Sequence, residues 1–259
     1  SSSVVAGPPS SFSQAKRLAA GIYQDRAVTF YCDCRFEAKT VDPTACGYQP
    51  RKQPKRGARV EWEHVVPAWE LGHQRQCWQK GGRKNCNRTD PVFVTMTSDL
   101  HNLVPAVGEL NGDRSNYRFG MLEGEVRHYG RCDFEVDFKL RRAEPPEHRR
   151  GDVARIYFYM RDTYGLRISR QQEQLFSAWH RMDPPDEAER QRRLDRAVRE
   201  LALRASSPGR RRFPCGNRIR GEPERYVASP DERALVLRPI ADVVFCFVLR
   251  MDSRLHAED

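Results

Sequence analysis

From Val60 to Pro67 the chain alternates, with Val60, Trp62 and His64 interleaved with Glu61 and Glu63. That is the period-two pattern of a strand with two unlike faces. A second patterned stretch, Asp99-Leu100-His101-Asn102-Leu103-Val104, runs into Pro105. Proline suits the first turn of a helix, where its missing N–H would have no partner anyway. A helix is therefore expected from Pro105, carrying Asn111 about a turn and a half further on. Between the two stretches lies a connection rich in glycine and arginine, in which Gly81-Gly82 permits a tight turn that brings Arg83 close to a ligand.

The flanks are read the same way. Ser11 is expected to cap a helix with Ala15, Leu18, Ala19, Ile22 and Tyr23 on one face. Thr29 to Cys32 reads as a strand, and Phe134 to Leu140 as another with clean alternation. Pro145-Pro146-Glu147 opens a helix with Val153, Tyr157, Met160 and Tyr164 as an apolar stripe, a core face rather than a ligand box. Ser169 and Gln172 form a capping box before Leu175, Phe176 and Trp179, and Asp183-Pro184-Pro185 ends that helix. Residues 1–10 are small, polar and proline-rich, the pattern of a loose arm.

From Asp186 the character changes. Residues 186–225 hold twelve arginines against seven acids, and no lysine follows Lys139. Leu194, Ala197, Val198 and Leu201 can seat one amphipathic helix; Ser206-Ser207-Pro208-Gly209 breaks it before Arg210-Arg211-Arg212. Val243 to Leu249 reads as a strand. The expected organisation is an N-terminal arm over 1–10, a catalytic domain over 11–185 and an Arg-rich, divergent extension over 186–259, partly disordered.

Composition narrows the function. With 259 residues, 39% of them hydrophobic, the chain can bury a substantial core. Its net charge of +10 attracts polyanions, nucleic acid before anionic membrane. The longest apolar run, 243–249, is far too short to span a bilayer, so no membrane insertion is expected. Eight cysteines lack any Cys-x2-Cys pair and Cys32-x-Cys34 is too tight for an ordinary zinc knuckle, so disulfides are favoured. Cys77 and Cys86, enclosing a short loop, are the best pair; the rest stay open. The chain begins at Ser1 with no apolar signal segment, and the expectation is a soluble, exported protein whose signal has been removed.

The candidate chemistry gathers around the central stretch. Phosphodiester hydrolysis needs an activated water, charge neutralisation on phosphoryl oxygens and stabilisation of the departing oxyanion. His64 is the natural base, since imidazole titrates nearest neutrality. Mg²⁺ prefers oxygen and often takes only one or two protein ligands, which Glu63 and Asn111 can supply. Arg83 offers a forked donor to phosphate. Consecutive strand residues point to opposite faces, so Glu63 and His64 can share a site only where the strand ends or bends. The loop 49–59, with Arg51, Lys52, Lys55, Arg56 and Arg59, is either a solvated turn or a phosphate-backbone contact. Position favours contact. Arg51, Lys52, Arg59, Lys80, Lys84 and Arg114 are thus the candidate nucleic-acid contacts, and Arg141, Arg142, Arg149, Arg150 and Arg155 could extend the basic surface. Glu61 is read as orienting its neighbours, Asp99, His101 and Asn102 as a hydrogen-bond scaffold, and His73 as a surface histidine.

Glu61-Trp62-Glu63-His64-Val65-Val66-Pro67-Ala68, Gly81-Gly82-Arg83-Lys84-Asn85-Cys86, Asp99-Leu100-His101-Asn102-Leu103 and Asn111-Gly112-Asp113-Arg114-Ser115-Asn116 together resemble the bacterial endonuclease I family. The likeness covers roughly residues 11 to 183. It implies an α+β fold, a ββα-metal (His-Me) finger embedded in a mixed, disulfide-stabilised domain. It also implies a periplasmic or secreted, non-specific endonuclease cutting double- and single-stranded DNA, and RNA too, to leave 5′-phosphate and 3′-OH ends. In that pattern His64 is the general base, Arg83 and Glu63 complete the catalytic set, and Glu63 with Asn111 holds one Mg²⁺, which Mn²⁺ or Ca²⁺ can replace. A monomer is expected. The rival is a catalytically impaired homologue that binds nucleic acid without cutting it. One departure stands out: relatives often carry a glutamate two residues before the Asp of DLHNL, where this chain has Thr97. A higher Mg²⁺ requirement follows.

Overall fold

A computed structural model describes residues 9–124 and 127–205. In chain order the elements are α1 (Phe12–Ile22), β1 (Phe36–Glu37), β2 (Thr40–Val41), α2 (Pro43–Cys46), α3 (Pro54–Gly57) and β3 (Val60–His64). Then come α4 (Ala68–Gly72), α5 (Gln76–Gln79), α6 (Gly82–Thr89), α7 (Pro91–Thr97), a 3-10 turn (Leu100–Asn102), β4 (Leu103–Val107) and α8 (Gly108–Arg114). The chain continues through β5 (Arg118–Phe119), β6 (Glu135–Asp137), β7 (Arg142–Glu144), α9 (Glu147–Tyr164), α10 (Arg170–Met182) and α11 (Glu187–Ala205). Pro8–Arg196 is one compact unit; from Ala197 the end of α11 falls outside it.

The unit is organised around an antiparallel ribbon. β3 pairs with β4 from Val60↔Val107 to His64↔Leu103, and α8 follows β4 directly. The α+β class and its ββα unit are therefore present. Every residue of β4 is buried, and Val65, Val66, Leu110, Phe93 and Met160 join it in the main core. On the other side α1 brings Ala15, Ala19, Ile22 and Tyr23 onto Leu100, Leu103 and Trp62. A second small sheet has the order β5-β7-β6.

Four sequence expectations need correction. Pro105 does not begin a helix: it sits in β4, opposite Trp62, and α8 starts three residues later. A proline is tolerated there because β4 pairs with a strand on one edge only; on the other, the Pro105 carbonyl accepts from the Phe30 amide and no donor is asked of residue 105. Gly108 then fills the role of helix start, since a Cβ at that position would lie 2.7 Å from the Arg56 carbonyl oxygen. Thr29 to Cys32 forms a turn rather than a strand, because Thr29 caps it from within: its Oγ1 accepts from the Cys34 N–H. The alternating run 134–140 pairs only over β6; beyond it Asp137 accepts from the amides of Lys139 and Leu140 and turns the chain. Ser169 caps α10 by accepting from the Gln172 amide, but the Gln172 side chain donates to the Phe119 carbonyl instead of closing the box.

Three disulfides staple the unit: Cys32–Cys132, Cys34–Cys46 and the expected Cys77–Cys86. Cys215, Cys246, the Arg210-Arg211-Arg212 run and the Val243–Leu249 stretch lie outside the described residues. The beginning of the proposed extension is part of the body: Glu189 pairs with Arg155, Arg192 with Asp152, and Arg196 donates to the Tyr23 hydroxyl. These polar contacts, rather than the expected apolar stripe, engage α11, since Leu194 is 48% exposed. Arg149, Arg150 and Arg155 are likewise committed to Asp33 and Asp152, Glu144, and Asp152 and Glu189, which removes them from the expected basic surface.

Glu109, buried in the first turn of α8, fixes the loop before β3. Its carboxylate accepts from the Tyr48 hydroxyl and from the amides of Arg51, Lys52 and Gln53. Burial alone would raise its pKa, but these four bonds outweigh burial and hold it below the ordinary carboxylate value. A depressed carboxylate stabilises the fold above its unfolded pKa, and that stability is lost as pH falls through the folded value. Glu109→Gln cannot satisfy all four donors and is expected to cost about 1–3 kcal/mol at neutral pH. Below about pH 4 the gap to wild type should narrow. Thermal melts of both proteins across that range provide the check; a constant gap would contradict the assignment.

Candidate active site

β3 ends at His64, and its alternation holds to the last residue. Trp62 and His64 face α1, against Tyr23 and Phe12. Glu61 and Glu63 face α8, against Asn111 and Arg114. The carboxylate of Glu63 and the ring of His64 thus leave opposite faces of the ribbon and can act on one group only around the strand's end.

Past the end the ladder adds one more backbone bond, from the Val65 N–H to the Asn102 carbonyl at 3.1 Å, and side chains then take over. The Asn102 amide accepts from the Val66 N–H at 2.7 Å and donates to the Val66 carbonyl at 2.9 Å, continuing the pairing by one further step. Asp99, also buried, accepts from the His101 amide and ring and from the hydroxyls of Tyr159 and Tyr164. Arg114 donates to the carbonyls of His64 and Val65 at 3.2 and 2.6 Å and lies 3.1 Å from Glu63 Oε1. It is fully buried, so it is withdrawn from the set of nucleic-acid contacts; its work is to fasten α8 to the strand's end.

His64 is buried, with its ring 4.9 Å from that of Phe12. Its Nε2 lies 2.8 Å from the Thr97 carbonyl oxygen. Burial, with the charges of Arg83 and Arg114, pushes its pKa down to about 4 against the pull of that carbonyl. The ring is therefore neutral at pH 7. A carbonyl only accepts, so in the neutral ring Nε2 carries the proton and Nδ1 the lone pair. That is the form of a base.

Glu63 is 3% exposed, and its Oε1 has no hydrogen-bond partner among the described residues. Burial raises its pKa to about 7, opposed by Arg114 and Tyr31. Asn111 donates its amide N–H to Glu61 at 3.1 Å, and its Oδ1 has no hydrogen-bond partner among the described residues. Glu61 is in turn held by Arg56 and Arg59. No cluster of three or more His, Cys, Asp or Glu forms a metal cage among the described residues. One carboxylate oxygen and one amide oxygen nevertheless suit a hard ion that keeps most of its waters.

Arg83 stands on the α5–α6 hairpin, which turns at Gly81 (φ 153°) and Gly82 (φ 62°) and is closed by Cys77–Cys86. Its guanidinium lies 5.7 Å from the Phe12 ring. Lys80 and Lys84 on the same hairpin are exposed, as are Lys52 and Lys55. Arg51 makes a two-pronged bond to Asp113 and covers the Phe138 ring, and Arg59 is paired with Glu61, so both are already partly neutralised. His73 stacks on Trp69, its ring bonded to the Trp69 carbonyl. The contribution of Phe12 has no sequence signal, because it comes from a helix some fifty residues upstream. The Thr97 carbonyl is a backbone atom, which the residue's identity cannot advertise.

The endonuclease I family model matches residues 12–202. An extracellular deoxyribonuclease of Aeromonas hydrophila is 53% identical over 190 residues, covering 71% of this chain and 83% of that protein. A periplasmic deoxyribonuclease of the same organism is 54% identical over 180 residues, covering 67% and 76%. Endonuclease-1 of Buchnera aphidicola subsp. Acyrthosiphon pisum is 46% identical over 177 residues, covering 67% and 70%. The match spans the helix that shields His64, the ribbon, the hairpin and α8 alike, and the chain belongs to the endonuclease I family.

Proposed function

We propose that this protein is an exported, divalent-metal-dependent endonuclease that hydrolyses DNA of either strandedness, and RNA, with little sequence preference. The observation that carries the reading is the buried His64 at a strand end shared with Glu63, its Nε2 2.8 Å from the Thr97 carbonyl, which leaves Nδ1 with the lone pair. Nδ1 takes a proton from the attacking water; a new P–O bond forms, the bond to the 3′ oxygen breaks, that oxygen takes a proton from solvent water, and 5′-phosphate and 3′-OH ends result. Arg83 neutralises a phosphoryl oxygen. Glu63 and Asn111 would hold the ion, Mg²⁺ in the first instance, whose chemistry when bound is charge neutralisation and stabilisation of the leaving oxygen. The exposed lysines of the hairpin and of the loop before β3 grip phosphates irrespective of base. The extracellular and periplasmic names of the relatives, and three disulfides, support export to an oxidising compartment.

Supercoiled plasmid and a structured RNA, incubated with Mg²⁺ and with EDTA, test this directly. Nicked and linear products with Mg²⁺ and none with EDTA are expected, with ligatable 5′-phosphate ends. Retarded but uncut plasmid would favour a binding protein that has lost turnover.

Thr97 bears on the metal. Its hydroxyl donates back to the Phe93 and Val94 carbonyls, so no carboxylate supports the ion from this side. Thr97→Glu is expected to lower the Mg²⁺ concentration for half-maximal cleavage several-fold. An unmoved titration would remove Thr97 from the account.

A further inference from the structure

The ring of Phe12 is a meeting point. His64 packs against it at 4.9 Å, the Arg83 guanidinium lies 5.7 Å from its centre, and the Lys16 ammonium lies 4.9 Å from its centre. Lys16 stands one helical turn after Phe12, the spacing that puts two residues of α1 on one face. Lys16 has no acidic partner among the described residues, whereas Arg51, Arg56 and Arg59 are all bonded to carboxylates. An unpaired ammonium on an aromatic face beside the proposed base is placed for an anionic ligand. Both cations thus lie near the centre of one phenyl ring that also packs on the imidazole.

We propose that Lys16 is a phosphate-binding residue of the cleavage site: it holds a phosphate of the bound nucleic acid next to the one that Arg83 engages, with Phe12 as the platform that sets the spacing. The assignment rests on the nuclease reading above. It makes α1 part of the substrate surface and not only a buttress for Trp62 and Leu103. Its contribution is to binding. The ammonium does not reach the reacting atoms through the ring, and so acts on affinity and salt dependence before it acts on turnover.

The experiment uses full-length protein with a short DNA duplex, in steady-state cleavage with Mg²⁺ and in salt-dependent binding with EDTA. Lys16→Gln, Lys16→Arg and Arg170→Gln are compared; Arg170 is an exposed cation at the start of α10 that stands outside the site. Lys16→Gln is expected to raise KM roughly 3- to 10-fold with kcat within about 2-fold. The slope of log K against log salt should fall by about 0.9, the loss of one phosphate contact on duplex DNA. Lys16→Arg should recover both, and Arg170→Gln should change neither. Equal effects of Lys16→Gln and Arg170→Gln would reduce the result to general charge, and an unchanged KM and slope in Lys16→Gln would overturn the assignment. Melting curves show whether each variant is folded. A wild-type protein that cuts nothing would fail the nuclease reading itself; an active wild type with an indifferent Lys16→Gln fails only this inference.

Discussion

His64→Ala is expected to slow DNA cleavage by roughly 10²- to 10⁴-fold, the usual contribution of a positioned general base, while leaving duplex affinity close to that of wild type. Both halves follow from the environment of the ring. Because burial keeps His64 neutral near pH 7, its removal takes away no positive charge from the phosphate-binding surface. Because Nε2 is tied to the Thr97 carbonyl, the lone pair lost is the one on Nδ1. Loss of binding in step with rate would instead make His64 part of the substrate grip. Glu63→Gln should behave differently. It removes the one buried carboxylate proposed to meet the ion, so higher Mg²⁺ should recover part of its activity, as it cannot for His64→Ala.

Complete reduction of the disulfides is expected to inactivate and unfold the protein at 37 °C. Cys32–Cys132 closes a loop of 100 residues, which in the chain-entropy model stabilises the fold by about 4.7 kcal/mol. The 12- and 9-residue separations of Cys34–Cys46 and Cys77–Cys86 add somewhat under about 3 kcal/mol each. Together these compare with the whole stability of a typical domain, about 5–15 kcal/mol. The bridges also touch the site. Cys32 adjoins Tyr31, which flanks Glu63, and Cys77–Cys86 clamps the hairpin that presents Arg83. Such coupling would keep the enzyme inert in a reducing cytosol before export. Activity and melting temperature are to be measured after thiol titration shows full reduction; an unchanged enzyme would sever the link.

Much of the site was legible because its signals are local. EWEHVVPA states its own strand by alternation, DLHNL supplies its own scaffold, and the Cys77–Cys86 hairpin is a short closed loop. Pro105 misled because proline is equally at home at a helix start and on a strand with one edge not paired to another strand, and nothing in the sequence counts a ribbon's edges. The arginines misled for a related reason. Composition gives their number, but Arg114 is spent on Glu63 and the Val65 carbonyl, Arg149 on Asp33 and Arg155 on Glu189, all distant in sequence, and only folding pairs them.

The sequence by itself determined the family and, through that resemblance, the expectation of a ββα core, and it named His64, Glu63 and Asn111 as candidates for base and metal ligands, since each motif depends on residue type at short spacing. Tertiary structure alone decided which nitrogen of His64 meets the Thr97 carbonyl, that the buried Glu63 carboxylate lies against Arg114, which cations are unpaired among the described residues and that α1 covers the candidate base. Those properties belong to contacts between segments tens of residues apart, where burial and partner choice set protonation and charge.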